Sequence, residues 1–302
     1  MSNTKKAYGA MLLAMLFYGV SFPATKAALE VLGPITIVTF RLVISSIFLL
    51  IFNEIKYGKE GLPKREDLLF FIVIAVMQPL GYFMTETFGL RLVSASIASI
   101  LIGTIPVITP IFSRFLLHEK TSLNNYIGLF IAFLGVVLLV VSDFNGGGDA
   151  SPLGVVLIFC AVFSAVFYTI FVRKLPRHYS PVTVTAVQNT IGLFMFLPFF
   201  FIFEFDGTYL FSVLQGDYGF GVLISIAFLA VFSSSFAFIF MNFGIKTLGP
   251  SKANGFVNLI PAITAVTSLL FFGEQFTLIK VFGMVIVICG VLLSQYGSFR
   301  KQ

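Results

Sequence analysis

The sequence predicts an all-α integral membrane protein of ten transmembrane helices, built as two inverted five-helix repeats with both termini in the cytoplasm. Three observations predict this fold: the chain is too apolar for water, its apolar runs match a bilayer in length, and its second half repeats its first. Of the 302 residues, 58% are hydrophobic and 11% are charged, whereas a soluble domain carries about 25% charged residues. This composition excludes both a soluble globular domain and a disordered chain.

Long apolar runs divide the chain into ten candidate membrane spans. A helix needs about 20 apolar residues to cross about 30 Å of hydrocarbon, and continuous runs of this length exclude the alternating strands of a membrane barrel. We predict helices at 7–27, 34–53, 68–88, 93–116, 123–142, 153–173, 181–203, 219–243, 250–272 and 278–297. The first run has a counterpart later in the chain, so we interpret it as a span rather than as a signal peptide.

The basic residues set the orientation of these spans. With the N-terminus in the cytoplasm, fifteen of the nineteen Lys and Arg residues fall in cytoplasmic segments, three fall in outer segments, and Arg41 lies within a span. Lys and Arg concentrate in the cytoplasmic loops of membrane proteins. The charges therefore predict a multi-pass protein of the cell membrane with both termini in the cytoplasm.

Composition also narrows the chemistry. The net charge of +6 comes from basic residues spread thinly between apolar runs, which do not form a phosphate-binding face. Cys160 and Cys289 each lie inside an apolar run and are predicted to be small packing residues. His118 and His178 fall in predicted loops, without a nearby set of catalytic side chains. The sequence therefore predicts no nucleic-acid partner, no metal, no cofactor and no enzyme active site.

An internal repeat relates the two halves of the chain. At an offset of 155, and without a gap, residues 88–138 match residues 243–293. The aligned pairs include Ile105-Pro106 with Ile260-Pro261, Glu119 with Glu274, Gly128 with Gly283, and Gly135 with Gly290. The front of each half matches more weakly, with Gly33-Pro34 resembling Ser180-Pro181. We predict one five-helix repeat in residues 1–145 and a second in residues 151–302.

The number of spans in each half has a consequence for topology. An odd number makes the second repeat enter the membrane from the opposite side. Inverted repeats of this kind are the architecture of many secondary transporters, in which the two halves exchange conformations to open a cavity on alternate sides of the membrane. The repeat therefore links the sequence to transport.

Both copies carry the same series of short motifs. The first has Ser94–Ala98, Ile105-Pro106-Val107, Leu116-Leu117-His118-Glu119, Gly128 and Gly135-Val136, and the second has Ser251–Ala253, Ile260-Pro261-Ala262, Phe272-Gly273-Glu274, Gly283 and Gly290-Val291. This series resembles the EamA-type signature of the drug/metabolite transporter superfamily. Tyr18-Gly19 and Arg41 resemble the first-helix and second-helix patterns of that family. The resemblance covers nearly the whole chain and implies a carrier of amino acids, other metabolites or drugs.

Two proline-containing spans carry a polar stripe at helical spacing. Pro106 and Pro261 are predicted helix breaks at matching positions, and such interruptions point to the substrate site of a transporter. The stripes are Ser96, Ser99, Gly103 and Pro106 in the first half, and Ser251, Asn254, Asn258 and Pro261 in the second. Small residues at these positions could serve close helix packing. For the two asparagines a substrate-binding face is favoured, because amides within a membrane need partners.

Other polar side chains within spans extend this candidate site. Gln78 and Tyr82 are four residues apart, which places both on one helix face. The candidate substrate-binding residues are Tyr18, Gln78, Tyr82, Ser99, Tyr168, Gln188, Asn242, Asn254 and Asn258. Each could instead bond only to a neighbouring helix. Together they predict a central cavity with amide and phenol groups, suited to a small amphiphilic solute.

Two charged side chains lie within spans at similar depth. Arg41 lies seven residues after Pro34, roughly 10 Å below the outer surface, and Glu86 lies about four residues before the outer end of the third span, roughly 6 Å below that surface, at about 1.5 Å per residue. We predict an Arg41–Glu86 ion pair, which could be structural. Alternatively, Glu86 could bind a proton that is coupled to transport. Burial favours the neutral carboxyl and Arg41 the ionised one, so the sequence leaves these alternatives open.

These observations favour a secondary transporter that exports an amino acid or a similar small metabolite by alternating access. Export itself is implied by the family resemblance alone. The alternative within the same fold is efflux of drugs or other metabolites. A channel is disfavoured because the sequence has no repeated filter loop or ring of charges, and a membrane-embedded enzyme because it has no catalytic cluster. Membrane lipid and a small-molecule substrate are the expected partners, and the oligomeric state is left open.

Overall fold

The computed structural model describes residues 3–58, 62–116, 123–145, 151–176, 178–207, 213, 215, 219–272 and 278–299. Within these ranges all regular structure is helical, and no strand occurs. The sequence motif positions His118, Glu119 and Glu274 lie outside the described residues. The prediction of an all-α chain is therefore confirmed for the part of the protein that the structure describes.

Seven α-helices lie in the described residues of the first half. They are α1 (Asn3–Leu29), α2 (Pro34–Tyr57), α3 (Leu68–Ala75), α4 (Tyr82–Leu92), α5 (Ala95–Ile102), α6 (Ile105–Leu116) and α7 (Leu123–Asn145). Pro34 is the first residue of α2, where the missing N–H of proline removes no intrahelical bond. Ser94 caps α5, since its Oγ accepts a hydrogen bond of 3.3 Å from the N–H of Ile97.

In the second half, the described residues contain a further series of α-helices. They are α8 (Pro152–Lys174), α9 (Pro181–Phe199), α10 (Phe220–Phe228), α11 (Phe238–Leu248), α12 (Pro250–Gly255), α13 (Leu259–Phe272) and α14 (Leu278–Phe299). A proline occupies the first position of α8, α9 and α12. Ser180 caps α9, since its Oγ accepts a hydrogen bond of 3.0 Å from the N–H of Thr183.

Eight helical segments in the described ranges are long and apolar enough to cross a membrane. They are Asn3–Leu29, Pro34–Tyr57, Arg65–Leu92, Ala95–Leu116, Pro152–Lys174, Pro181–Glu204, Phe220–Leu248 and Pro250–Phe271. Each coincides with a predicted span. The other two predicted spans fall on α7 and α14, whose apolar stretches are shorter, at Tyr126–Gly135 and Val281–Gly290. The protein is therefore a multi-pass membrane protein.

Two spans are interrupted by π-helical turns at equivalent places in the two halves. One turn, Val76–Gly81, joins α3 to α4, and the other, Leu229–Ala237, joins α10 to α11. The repeat offset of 155 places 76–81 on 231–236, inside the second turn. Gln78 adopts extended backbone angles (φ −152°, ψ 120°) within the first turn. Such turns expose backbone groups and redirect side chains within a span.

The spans that contain Pro106 and Pro261 are also each divided into two helices. The first is divided at Gly103-Thr104, between α5 and α6, and the second by a 3₁₀ turn at Phe256–Asn258, between α12 and α13. Each proline lies in the first turn of the helix that follows the interruption. Proline is tolerated there because the first N–H groups of a helix have no intrahelical acceptor.

The packing of the helices follows the internal repeat. Helix α1 of the first half packs on α11 and α13 of the second, and the equivalent α8 packs on α4 and α6 of the first. Extensive contacts also join equivalent helices of the two halves, α2 with α9 and α7 with α14. Gly135 and Gly290 allow the second pair to approach closely: a Cβ on Gly290 would lie 2.5 Å from the backbone nitrogen of Ala132. The two halves therefore interlock around a shared centre.

Candidate functional site

A central cavity lies between the two halves. The empty space of the cavity and its open mouth, solvent included, is about 560 Å³, and the walls come from α1, α2, α4, α5, α6, α8, α11, α12, α13 and the interrupted turns between them. Several wall positions are related by the repeat offset of 155, namely Gln78 with Ser233, Glu86 with Met241, Ile102 with Val257, and Ile105 with Ile260. The equivalent rings of Phe83 and Phe238 meet edge to face, with centroids 6.0 Å apart.

Arg41 supplies a positive charge to this cavity. Its side chain is 2% exposed, and its guanidinium lies 4.0 Å from the centroid of the Phe83 ring. Nε donates a hydrogen bond of 2.8 Å to the hydroxyl of Ser234, and Nη2 donates one of 3.3 Å to the hydroxyl of Ser233. These contacts hold the guanidinium in place by neutral groups and a cation–π contact, without a direct ion pair among the described residues.

Glu86 supplies a carboxyl group to the same cavity. Its Oε1 accepts a hydrogen bond of 3.3 Å from the hydroxyl of Tyr82, and its Oε2 is buried without a hydrogen-bond partner. Among the described residues, Arg41 and Glu86 are not within salt-bridge distance of each other. The predicted direct ion pair is therefore not formed, because Arg41 is held by serines and Glu86 by a tyrosine. Both groups nevertheless face one shared space.

Tyr168 joins two predicted site residues that do not reach the cavity themselves. Its hydroxyl lies 2.7 Å from Oδ1 of Asn242 and 2.9 Å from the side-chain amide of Gln188. One hydroxyl hydrogen serves only one acceptor, so we assign the Gln188 amide with Nε2 donating to the phenol oxygen, since that nitrogen is otherwise buried and unpartnered. Asn242 also donates from Nδ2 to the hydroxyl of Thr185 at 3.0 Å.

Asn254 is the one member of the two predicted stripes that lines the cavity among the described residues. Its Nδ2 donates to the hydroxyls of Thr109 at 2.8 Å and Thr169 at 3.3 Å, while its Oδ1 is buried without a partner. Ser99 donates instead to the carbonyl of Ser96 in its own helix. An unpartnered buried acceptor in a cavity wall is suited to a donor group on a ligand.

The structure thus divides the predicted site residues into two groups. Those that line the cavity are Tyr18, Arg41, Gln78, Tyr82, Glu86, Tyr168 and Asn254. Those that lie outside its wall are Ser99, Gln188, Asn242, Asn258, Pro106 and Pro261. The second group supports the wall from behind or shapes the interrupted spans.

A run of three serines in the π-helical turn was not predicted to belong to the site. Besides the contacts of Ser233 and Ser234 with Arg41, the carbonyl of Ser234 accepts a hydrogen bond of 2.8 Å from Nδ2 of Asn189. Ser235 donates to the carbonyl of Ala230 at 2.8 Å, and its hydroxyl oxygen lies 2.9 Å from that of Ser45. One feature of the sequence could have indicated this role: at the repeat offset of 155, Ser233 aligns with the predicted site residue Gln78.

Membrane-length helices around a polar cavity, shared by two equivalent halves, define a multi-pass membrane transport protein. The chain belongs to the EamA-like transporter family, whose pattern matches residues 5–141 and 152–296. The two matched ranges correspond to the two repeats seen in the sequence, and the resemblance to the EamA type is confirmed.

Several relatives match over nearly their whole length. An uncharacterized transporter of Archaeoglobus fulgidus is 28% identical over 295 residues, covering 95% of this chain and 98% of the relative. The uncharacterized transporter YvbV of Bacillus subtilis is 27% identical over 305 residues, covering 100% of this chain and 96% of the relative. A protein crystal structure with 15% sequence identity superposes with a TM-score of 0.69 over 96% of this chain and 98% of that one, a likeness of fold.

Proposed function

We propose that the protein is a secondary transporter that exports an amino acid, or a similar small amphiphilic solute, by alternating access of two inverted repeats. Membership of the transporter family supports the general function. The central cavity supports the class of solute, and the interruption of spans at equivalent places in the two halves supports an exchange of conformations between them.

The observation that carries the solute class is the separation of Arg41 and Glu86 on one cavity wall. Arg41 has a second terminal nitrogen, Nη1, without a hydrogen-bond partner among the described residues, and Glu86 has an unpartnered Oε2. A carboxylate on the solute would accept from Nη1, and an ammonium group would donate to Oε2. The apolar wall, which includes Phe22, Ile102 and Ile260, would contact the side chain.

Counterflow in proteoliposomes tests this proposal. Vesicles preloaded with a mixture of amino acids should accelerate uptake of at least one radiolabelled amino acid, while its methyl ester and its N-acetyl derivative should be poor substrates. Each derivative removes one of the two charges that the cavity complements. Equal exchange of the amino acid and both derivatives would contradict the assigned roles of Arg41 and Glu86. Exchange of drugs or other metabolites, with no amino acid active, would favour the alternative solutes of the same fold.

Direction can be measured separately in cells that produce the protein. Export predicts faster loss of preloaded amino acid from these cells than from cells without it, at equal starting content. Faster accumulation of external amino acid, without faster loss, would identify an importer.

The proposed topology has ten spans, with both termini in the cytoplasm and repeats in residues 1–145 and 151–302. The asymmetric distribution of Lys and Arg supports this orientation. Single cysteines in a chain without Cys160 and Cys289 would test it, by labelling from each side of the membrane. Labelling of residues 5 and 301 from the outer side would contradict it.

We also propose that Glu86 binds the proton that couples transport to a gradient. Its burial, its position in the cavity and its unpartnered oxygen support this role. Exchange by the wild type should change with pH, and exchange by Glu86→Gln should change much less, because glutamine does not titrate. A pH profile that is the same in both proteins would exclude Glu86 as the coupling group.

A further inference from the structure

A second pocket lies beside the central cavity, between α8, α9 and α11. Its empty space, open solvent included, is about 390 Å³, and its lining includes Arg173, Pro176, Tyr179, Val184, Asn242 and Lys246. None of its lining residues is Asp or Glu. Arg173 and Lys246 therefore give this pocket a positive field, which favours an anionic group on a solute.

A hydrogen-bonded contact joins the walls of the two cavities. Tyr168 lines the central cavity, Asn242 lines the second pocket, and the hydroxyl of Tyr168 lies 2.7 Å from Oδ1 of Asn242. The Tyr168 ring also packs against Phe238, with centroids 6.2 Å apart. A solute that moved from one cavity to the other by this route would have to displace Tyr168.

Helices α8, α9 and α11 each supply part of this barrier. Gln188 of α9 bonds to the hydroxyl of Tyr168, and Thr185 of the same helix accepts from Asn242. The barrier consists of uncharged groups whose hydrogen bonds are exchangeable for water or for solute groups. Its parts lie on three separate helices, so relative movement of these helices would break it.

We propose that the second pocket is an intermediate binding station on the transport route, taking the anionic group of the solute, and that Tyr168, Gln188 and Asn242 form the gate between it and the central cavity. This inference rests on the chain being a carrier, as its family indicates, and it requires of the solute only that it has an anionic group. It can therefore be tested without a known substrate.

Access to a cysteine in the central cavity tests the gate. Ser21, which lines the cavity, would be replaced by cysteine in a chain with Cys160→Ser and Cys289→Ser, because both natural cysteines are exposed. A membrane-impermeant maleimide would be applied separately to each side of the membrane. From the side on which the second pocket opens, Tyr168→Phe should increase the labelling rate about fivefold or more, since a buried hydrogen-bonded contact is lost.

Two further variants make the outcome decisive. Asn242→Ala removes the other side of the gate and should have the same effect as Tyr168→Phe. Tyr126→Phe changes an exposed tyrosine that borders neither pocket and should leave the rate unchanged. Wild-type rates in both gate variants, in protein that remains monodisperse, would overturn the assignment of the gate.

The reaction rates of oppositely charged thiol reagents in the second pocket test whether this pocket favours anionic groups. With cysteine at Val184, a negatively charged thiosulfonate should react about threefold or more faster than a positively charged one, because the pocket is basic. Lys246→Gln should reduce this preference, and Lys174→Gln, at an exposed residue that does not line the pocket, should retain it. Equal rates of the two reagents in the protein that retains Lys246 would overturn the proposed anion station. This outcome is independent of the result of amino-acid counterflow.

Discussion

The two halves of the cavity wall have equivalent backbones but different charges. At the offset of 147 set by Gly33-Pro34 and Ser180-Pro181, Arg41 corresponds to Gln188, and at the offset of 155, Glu86 corresponds to Met241. The first half therefore supplies both charges of the cavity, and the second half supplies neutral partners. The comparison suggests a division of roles in which backbone symmetry serves the exchange of conformations and side-chain asymmetry serves recognition of the solute.

Arg41→Gln should have the largest effect. It replaces the arginine by the residue type of its repeat equivalent, Gln188, and removes the positive charge of the cavity. We expect exchange of the amino acid identified by counterflow to fall about 30-fold or more, since losing one partner of a buried charged contact costs about 2–5 kcal/mol. The methyl ester should be affected much less. Arg114→Gln, at an exposed arginine outside the cavity, is the matched control. Normal exchange by Arg41→Gln would contradict a role for the guanidinium in binding.

Glu86→Met should have the next largest effect. It replaces the glutamate by the residue type of its repeat equivalent, Met241, so both halves then have methionine at this position of the cavity wall. We expect exchange of the free amino acid to fall about tenfold, as one charge-assisted hydrogen bond contributes about 1.5–3 kcal/mol. The N-acetyl derivative should be transported as well as before or better, because a buried unpartnered carboxyl oxygen is removed. Glu54→Met, at an exposed residue of α2, controls for the loss of charge alone. An equal loss for both solutes would indicate a structural role.

The sequence predicted the charged groups of the cavity better than their contacts. Counting residues from the predicted outer span ends placed Arg41 and Glu86 at similar depth, and both line the cavity. Direct pairing could not be predicted in the same way, because it depends on which neighbours reach each side chain. Ser233 and Ser234 hold Arg41 from a turn 192 and 193 residues away in sequence, and serines in an apolar span are usually interpreted as packing residues.

The fold followed more directly from the sequence than the site did. Apolar length and the repeat depend on local composition and on self-similarity. They predicted ten spans, eight of which are membrane-length helices in the described residues, and two halves that each match the family. The contact of Tyr168 with Asn242 joins residues 74 apart on different helices. The sequence alone does not reveal that α8 packs on α11, so it predicts Tyr168 and Asn242 as independent polar residues of a cavity wall.

Where the halves are alike, substitutions should have equal effects. A Cβ on Gly135 would lie 2.8 Å from the backbone nitrogen of Val287, and a Cβ on Gly290 would lie 2.7 Å from the carbonyl oxygen of Gly128. We expect Gly135→Ala and Gly290→Ala each to destabilise the protein by about 1–3 kcal/mol, measured by thermal unfolding in detergent. Gly9→Ala, at a position with open space, should be neutral or slightly stabilising. A loss at only one of the two glycines would indicate that α7 and α14 do not pack symmetrically.

The smallest effect on stability is expected at the two ends of the contact between α2 and α9. Thr36 and Thr183 are equivalent at the offset of 147, and each contacts the far end of the opposite helix. Thr36 donates from its hydroxyl to the carboxylate of Glu204 at 2.9 Å, whereas Thr183 donates to the amide oxygen of Asn53 at 3.0 Å. Since hydrogen bonds to charged groups are stronger than neutral ones, we expect Thr36→Val to cost about 1 kcal/mol more stability than Thr183→Val.

Glu204→Gln separates the contribution of charge from that of shape at the Thr36 end. Glutamine retains an acceptor for the hydroxyl and the N–H of Thr36, which lie 2.9 and 2.7 Å from the same carboxylate oxygen. In the Glu204→Gln background, the stability loss caused by Thr36→Val should therefore approach that of Thr183→Val in the wild type. A double-mutant cycle measures this directly. If the loss at Thr36 stayed the same in both backgrounds, the carboxylate charge would not be what distinguishes the two ends.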